Sequence, residues 1–191
     1  NENTFKMMMG NVANLSPEEA SHFNILSDTL SLMLGNLTHV EYVARTVASK
    51  DSLGINIMDN PKGITIDENH DLIVVDESSK KVLRIEETAP GVWTTTEITD
   101  GPTSGNLIED PNGVAVAGNG DVFITDDTTD AILKVDQSDG STSIIASQGT
   151  EGSAIINNPS GVAIDNNGDL IVVDESSEKV LRLSETTPGV W

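Results

Sequence analysis

From residue 61 onward, the apolar residues fall into short runs separated by polar, glycine-bearing breaks. "LIVVD" at Leu72–Asp76 is a continuous apolar run that ends in a carboxylate, as expected of a strand covered on both faces. Before it, "GITID" is short and follows a Pro-x-Gly turn. After it, "DESSKK" carries turn chemistry and "KVLRIE" resumes with partial alternation. "VWTTTEIT", rich in β-branched residues, closes the series as a fourth strand.

The same order recurs. "LIVVDESSKKVLRI" at 72–85 returns as "LIVVDESSEKVLRL" at 170–183, 98 residues later, with 12 of 14 letters unchanged. Three units align without internal gaps on a Pro-x-Gly anchor: "PKGITIDENHDLIVVDESSKKVLRI" from Pro61, "PNGVAVAGNGDVFITDDTTDAILKV" from Pro111 and "PSGVAIDNNGDLIVVDESSEKVLRL" from Pro159. The offsets are 50 and 48. The first and third units are near twins and the middle one is more distant, so the duplicated element is a pair of units. Four short antiparallel strands in 48–50 residues describe one propeller blade. The predicted fold class is therefore all-β, with blades over residues 40–191 starting near 61, 111 and 159.

Residues 1–39 read differently, as an N-terminal α-helical segment. In "LSPEEASHFNILSDTLSLMLGN", Ser16 is placed to cap a helix, Pro17 to open it and Glu19 to complete a capping box. Phe23, Leu26, Leu30, Met33 and Leu34 then form one apolar stripe, and Gly35-Asn36 supplies the stop. A stripe that apolar is expected to dock on another surface. Val40–Ala48 aligns with the outer strand of the first unit and is expected to enter as a strand ahead of the first full blade. Trp191 falls where Trp93 falls in the first unit, at the start of an outer strand. The expectation is a segment of a longer propeller, with closure of one ring by two copies as the alternative.

The motif Pro-x-Gly-(Ile/Val)-x-(Ile/Val), then Asp-Leu-Ile-Val-Val-Asp, then Val-Leu-Arg-(Ile/Leu), resembles the NHL-repeat family of β-propellers over roughly Glu41–Trp191. The resemblance implies a propeller fold but no single activity. Amidating lyases of this propeller type hold zinc with several histidines. This chain has only His22, His39 and His70, and one propeller histidine does not reproduce that set. Gluconolactonase-like propellers hold a divalent ion in the central pore from residues beside the blade-start glycines. Those positions are Lys62, Asn112 and Ser160, of which only Asn112 suits a cation.

Charge narrows the partners. The formal net charge is −21, with 24 acidic and 7 basic residues after position 60. Such a surface repels phosphate backbones, and the aromatics after position 60 are only Trp93, Phe123 and Trp191, so nucleic acid is excluded as a partner. No apolar window is long enough to span a membrane. There are no cysteines, so neither disulfides nor thiolate sites arise. The chain opens at Asn1 without a leader pattern, as expected of an excised segment or one whose leader is removed. Asn14 and Asn36 head glycosylation sequons, the second better placed than the first.

Candidate chemistry centres on recurring aspartates. Asp76, Asp126 and Asp174 end the second strand of each unit and are expected to accept hydrogen bonds from the following turn, as a fold device. "DENHD" and "DNNGD" cluster oxygen ligands, which makes Asp67, Asp71, Asp165 and Asp169 calcium candidates, although the middle copy "AGNGD" lacks the first carboxylate. No convergent catalytic set is visible and no cofactor beyond that calcium is implied. The function expected from these readings is a noncatalytic, secreted or cell-surface scaffold. It would bind a protein partner or itself through open blade edges and the N-terminal helix. The alternative is a propeller lactonase, lyase or hydrolase with a pore metal.

Overall fold

Each Pro-x-Gly anchor opens an inner strand, and the strands that follow it pair in chain order. The computed structural model of the protein describes residues 44–49, 58–99, 107–148 and 156–191. The expected helix, its apolar stripe, His22, His39 and both sequons lie outside the described residues. Thr46–Trp191 forms one compact unit.

The first sheet comprises β1 (Pro61–Ile66), β2 (Leu72–Asp76), β3 (Lys81–Ala89) and β4 (Val92–Thr99), in that spatial order. The second comprises β5 (Pro111–Val116), β6 (Val122–Asp126), β7 (Ala131–Val135) and β8 (Thr142–Ser147). The third has β9 (Pro159–Ile164), β10 (Leu170–Asp174) and β11 (Lys179–Leu183). All pairings are antiparallel, and the near-twin units keep one register: Val74 faces Leu83 as Val172 faces Leu181. The expected entry strand is not seen where it is described. Residues 44–48 run without strand structure and largely exposed. Ala44, Arg45 and Thr46 offer little apolar surface for a sheet to bury.

Turn chemistry follows the alignment. Gly120 and Gly168 take φ of 89° and 86° in the turn between the first two strands of their sheets. His70 occupies the same position at φ 68°. It is therefore a turn residue in a conformation that glycine adopts without strain.

The sheets stack through alternating faces. Ile73, Val75 and Val82 of the first sheet pack on Val114, Val122, Ile124, Leu133 and Val135 of the second. The opposite face of the second sheet, with Phe123, Ile132 and Ala146, packs on Leu170 and Val172 of the third. Phe123 also meets Trp191 edge-on, ring centroids 5.3 Å apart. Inner strands β1, β5 and β9 run side by side, and β2 and β6 each reach the inner strand of the next sheet.

The continuous apolar runs at 72–76 and 170–174 predict burial of Val74, Val75, Val172 and Val173, and for one of the four this fails. Val74, Val75 and Val172 are buried, but Val173 is 45% exposed. It sits on the face of the third sheet that corresponds to Val75, and no described sheet follows to cover it. Truncating Val75 to alanine is accordingly expected to lose about 1–3 kcal/mol. Val173→Ala should cost a small fraction of that, and urea unfolding of the two variants measures the contrast.

Candidate functional site

Among the described residues, the repeated aspartates are the most deeply buried carboxylates. β2, β6 and β10 each end by burying a carboxylate: Asp76 and Asp126 are 0% exposed and Asp174 is 1% exposed. Asp76 Oδ2 accepts from the backbone amides of Asp59 and Asn60 at 2.8 and 2.9 Å, and Oδ1 from that of Ser79 at 2.9 Å. Asp126 repeats this with Glu109 and Asp110 at 2.8 and 3.0 Å, and with both the amide and hydroxyl of Thr129 at 3.0 and 2.8 Å. Asp174 accepts from Asn157 at 2.6 Å and Ser177 at 3.0 Å, whereas the Asn158 amide goes to Asp130 at 2.8 Å. Each carboxylate thus clamps the turn after its strand to the segment that leads into its own inner strand. The turn half of this clamp was expected. The upstream half, 16–17 residues back, was not, although the constant spacing from Pro-x-Gly to Asp is its signature.

The calcium candidates divide between two hairpins that are not brought together. Asp67 Oδ1 accepts from the amides of Asn69 and Asp71 at 2.9 and 3.0 Å, and its Oδ2 lies 3.5 Å from Arg84. Asp165 Oδ1 accepts from Asn167 and Asp169 at 2.8 and 3.1 Å. Arg182 closes the second pair, reaching Asp165 Oδ2 at 2.7 Å and Asp169 Oδ2 at 2.6 Å. The amide of Asn167, above all, holds the Asp165 carboxyl below its usual range, and Arg182 adds to this. In the second sheet Lys134 serves the same purpose, 2.7 Å from Asp121. Among the described residues, no group of three or more His, Asp or Glu is placed to hold a metal ion.

Asn112 stands on β5 just ahead of Gly113, beside the first sheet: its carbonyl oxygen would lie 2.5 Å from a β-carbon added at Gly63. Lys62, its counterpart, pairs with Glu77 at 2.7 Å, and that bond holds the lysine above its usual range. Nearby, Asp110 is pushed above the ordinary carboxylate range, by burial first and then by Glu77, Asp127 and Asp126. A raised carboxyl pKa means the ionised form is disfavoured in the fold. Its destabilising effect is full above the folded-state value and vanishes as pH falls through it. Asn60 and Asn158 occupy the equivalent position in the other units. Asp110→Asn is therefore expected to gain up to about 0.5 kcal/mol at neutral pH, after solvent screening, and to lose that advantage in acid. Thermal melts across pH check it.

A cleft of about 370 Å³ opens between the outer parts of the first two sheets, lined by Arg84, Glu97, Gln137 and Asp139 among others. Arg84 Nη2 donates to Gln137 Oε1 at 3.2 Å, a cross-sheet bond that sequence reasoning missed. In the aligned units Arg84, Lys134 and Arg182 share one position, as do Glu87, Gln137 and Glu185, but the alignment does not show that the two positions meet across sheets.

Residues 157–180, from the amide held by Asp174 through β10 into β11, match the model of the NHL repeat. The chain carries an NHL repeat. Its sheets are propeller-like, and solved structures agree. It is similar to virginiamycin B lyase from Staphylococcus aureus, with a TM-score of 0.50 and 17% identity, over 65% of this chain and 38% of that one. An auxiliary nutrient binding protein from Bacteroides thetaiotaomicron gives 0.52 and 12%, over 63% and 36%. A protein described provisionally as a gluconolactonase gives 0.52 and 20%, over 68% and 47%. The chain thus spans less than half the length of each of these structures. At these identities the likeness is one of fold. No curated protein matches the sequence.

Proposed function

We propose that this NHL-type chain is a noncatalytic, extracellular or cell-surface propeller segment that works as a protein-binding or assembly scaffold. The observation that carries this reading is how its carboxylates are used. Asp76, Asp126 and Asp174 are buried against backbone amides, and Asp165 and Asp169 are closed by Arg182. Carboxylate lone pairs engaged in this way are poorly placed to take a substrate proton. The acidic surface, with a net charge of −21, favours solubility and selects against polyanionic partners. Proteins that share the fold include a lyase and a nutrient-binding protein, so function rests on these residues rather than on the architecture.

The test uses protein purified without chelators, measuring metal content and turnover of a panel of lactones and esters on the same sample. The expected result is no stoichiometric divalent ion and no turnover above buffer. One tightly held ion per chain, with turnover lost on chelation, would overturn the reading in favour of a propeller enzyme, and Asn112 would be the first ligand to substitute.

A further inference from the structure

The two junctions between neighbouring sheets treat the same cation position differently. At the second, Lys134 is held above its usual range by its bond to Asp121 first, and Glu185 of the next unit adds to the effect. At the first, Arg84 lies 3.5 Å from Asp67, and the residue that meets it from the next unit is the neutral Gln137. Gln137 shares its aligned position with Glu87 and Glu185, which accept from the amides of Gly91 and Gly189 in their own turns. In the middle unit Asp136 and Asp139 hold the turn instead, and Gln137 reaches across the junction.

That contact leaves donors over. Arginine offers no acceptor, so Gln137 Oε1 faces Arg84 Nη2 and the amide nitrogen of Gln137 points elsewhere. Gln137 Nε2 and Arg84 Nε are both shut from solvent without a hydrogen-bond partner. Buried donors left unpaired are costly and uncommon. Among the described residues the other two such atoms are the hydroxyls of Ser79 and Ser177, in turns. Arg84 and Gln137, by contrast, line one cleft, the opening of about 370 Å³ between the first two sheets. The Arg84 side chain is 27% exposed, so part of it remains within reach. Ile98 is the single apolar side chain lining the cleft among the described residues. Glu97 is engaged by Lys81 at 2.8 Å. Asp139 is exposed, and Ser141 holds its carboxyl below the ordinary range.

We propose that this cleft binds a small zwitterion of the amino-acid type, its carboxylate accepting from Arg84 and Gln137 and its ammonium group lying toward Asp139. The unpaired donors call for an acceptor, and a carboxylate offers two oxygens to the edge of an arginine. A simple anion would meet the charge of Asp139 and the chain's net charge of −21, so the ligand carries a cation of its own. The volume lies at the lower end of the roughly 300–1,000 Å³ of ligand pockets, which limits the occupant to a small molecule. Because Nε and Nε2 are closed to solvent, the Gln137 side chain shifts when the carboxylate enters. Gln137 sits between β7 and β8, where that movement disturbs no strand.

The test is a titration of the full chain with each of the common L-amino acids, followed by the NMR signals of Arg84 Nε–H and the Gln137 side-chain amide. At least one amino acid should move both signals to saturation at one molecule per chain, with a Kd of about 1 mM or below. Acetate and ethylamine, which carry its two charges separately, should each bind about ten-fold more weakly or worse. Gln137→Glu presents a carboxylate to Arg84, so it should fold at least as stably as the parent and lose about ten-fold or more in amino-acid affinity. Asp139→Asn keeps a carbonyl for the Ser141 amide, and should weaken the amino acid about ten-fold while leaving acetate no weaker. No saturable shift with any amino acid overturns the proposal. So does acetate binding as tightly as the best amino acid, or an affinity unchanged in Gln137→Glu. Each of these results leaves the scaffold reading intact, since that stands or falls on metal content and turnover.

Discussion

Asp126→Ala is expected to destabilise the fold by about 3–5 kcal/mol, since leaving one buried donor unpaired costs about 1–3 kcal/mol and three amides lose their acceptor here. The carboxylate is 0% exposed and satisfies the amides of Glu109, Asp110 and Thr129 together with the Thr129 hydroxyl. Alanine removes every acceptor and leaves three backbone donors without their partner. The segment entering β5 then loses its tie to the end of β6, and with it the seat of the inner strand. Asp126→Asn keeps one carbonyl oxygen but turns an amide group toward other donors, so its loss should be smaller but real. Urea unfolding measures both. A loss under about 1 kcal/mol for alanine would mean that water replaces the carboxylate freely and that the clamp is ornamental.

Gly113→Ala should be similarly harmful for a different reason. A β-carbon there would lie 2.8 Å from the carbonyl oxygen of Ser160, 2.9 Å from Gly161 Cα and 2.9 Å from Thr125 Oγ1. Two of these atoms are backbone of the next sheet, which can yield only by moving the strand. Overpacking of this kind costs about 1–3 kcal/mol, occasionally more. Gly161 provides the control. Its nearest atoms are Val173 Cβ and Cγ2 at 3.8 Å, an ordinary contact. Gly161→Ala should therefore change stability by less than about 0.5 kcal/mol. Equal losses at both glycines would show that backbone entropy, rather than the close approach of inner strands, explains the residue.

These two devices also show which parts of the structure were legible in the sequence. Inner strands begin at Pro61, Pro111 and Pro159 because the anchor recurs with the same local geometry, and local chemistry is what a repeat records. The glycine of that anchor was visible as a motif, but its reason lies in the next sheet. Val173 was misjudged on the same account. "LIVVD" is spelled identically at 72–76 and 170–174, yet Val75 is 0% and Val173 45% exposed, since burial depends on the neighbouring sheet and not on the letters. The strand-ending aspartates were read as turn acceptors because turn logic looks a few residues ahead. Their stronger commitment runs 16–17 residues back, where only the fold brings the amides within reach. The hairpin carboxylates were legible as oxygen clusters. That Arg182 would span Asp165 and Asp169 depends on β10 and β11 pairing in register, which places Arg182 opposite Ile171.

The central claim is that the repeated carboxylates are spent on the fold rather than held for an ion or substrate. Amide hydrogen exchange of Asp59, Asn60, Glu109, Asp110 and Asn157, with and without millimolar calcium, tests it most directly. These amides belong to loop segments that would ordinarily exchange quickly. They are expected to be as protected as the strand amides of β2, β6 and β10, with calcium making no difference. Rapid exchange without calcium and protection on adding it would contradict the account and return the aspartates to the status of ion ligands.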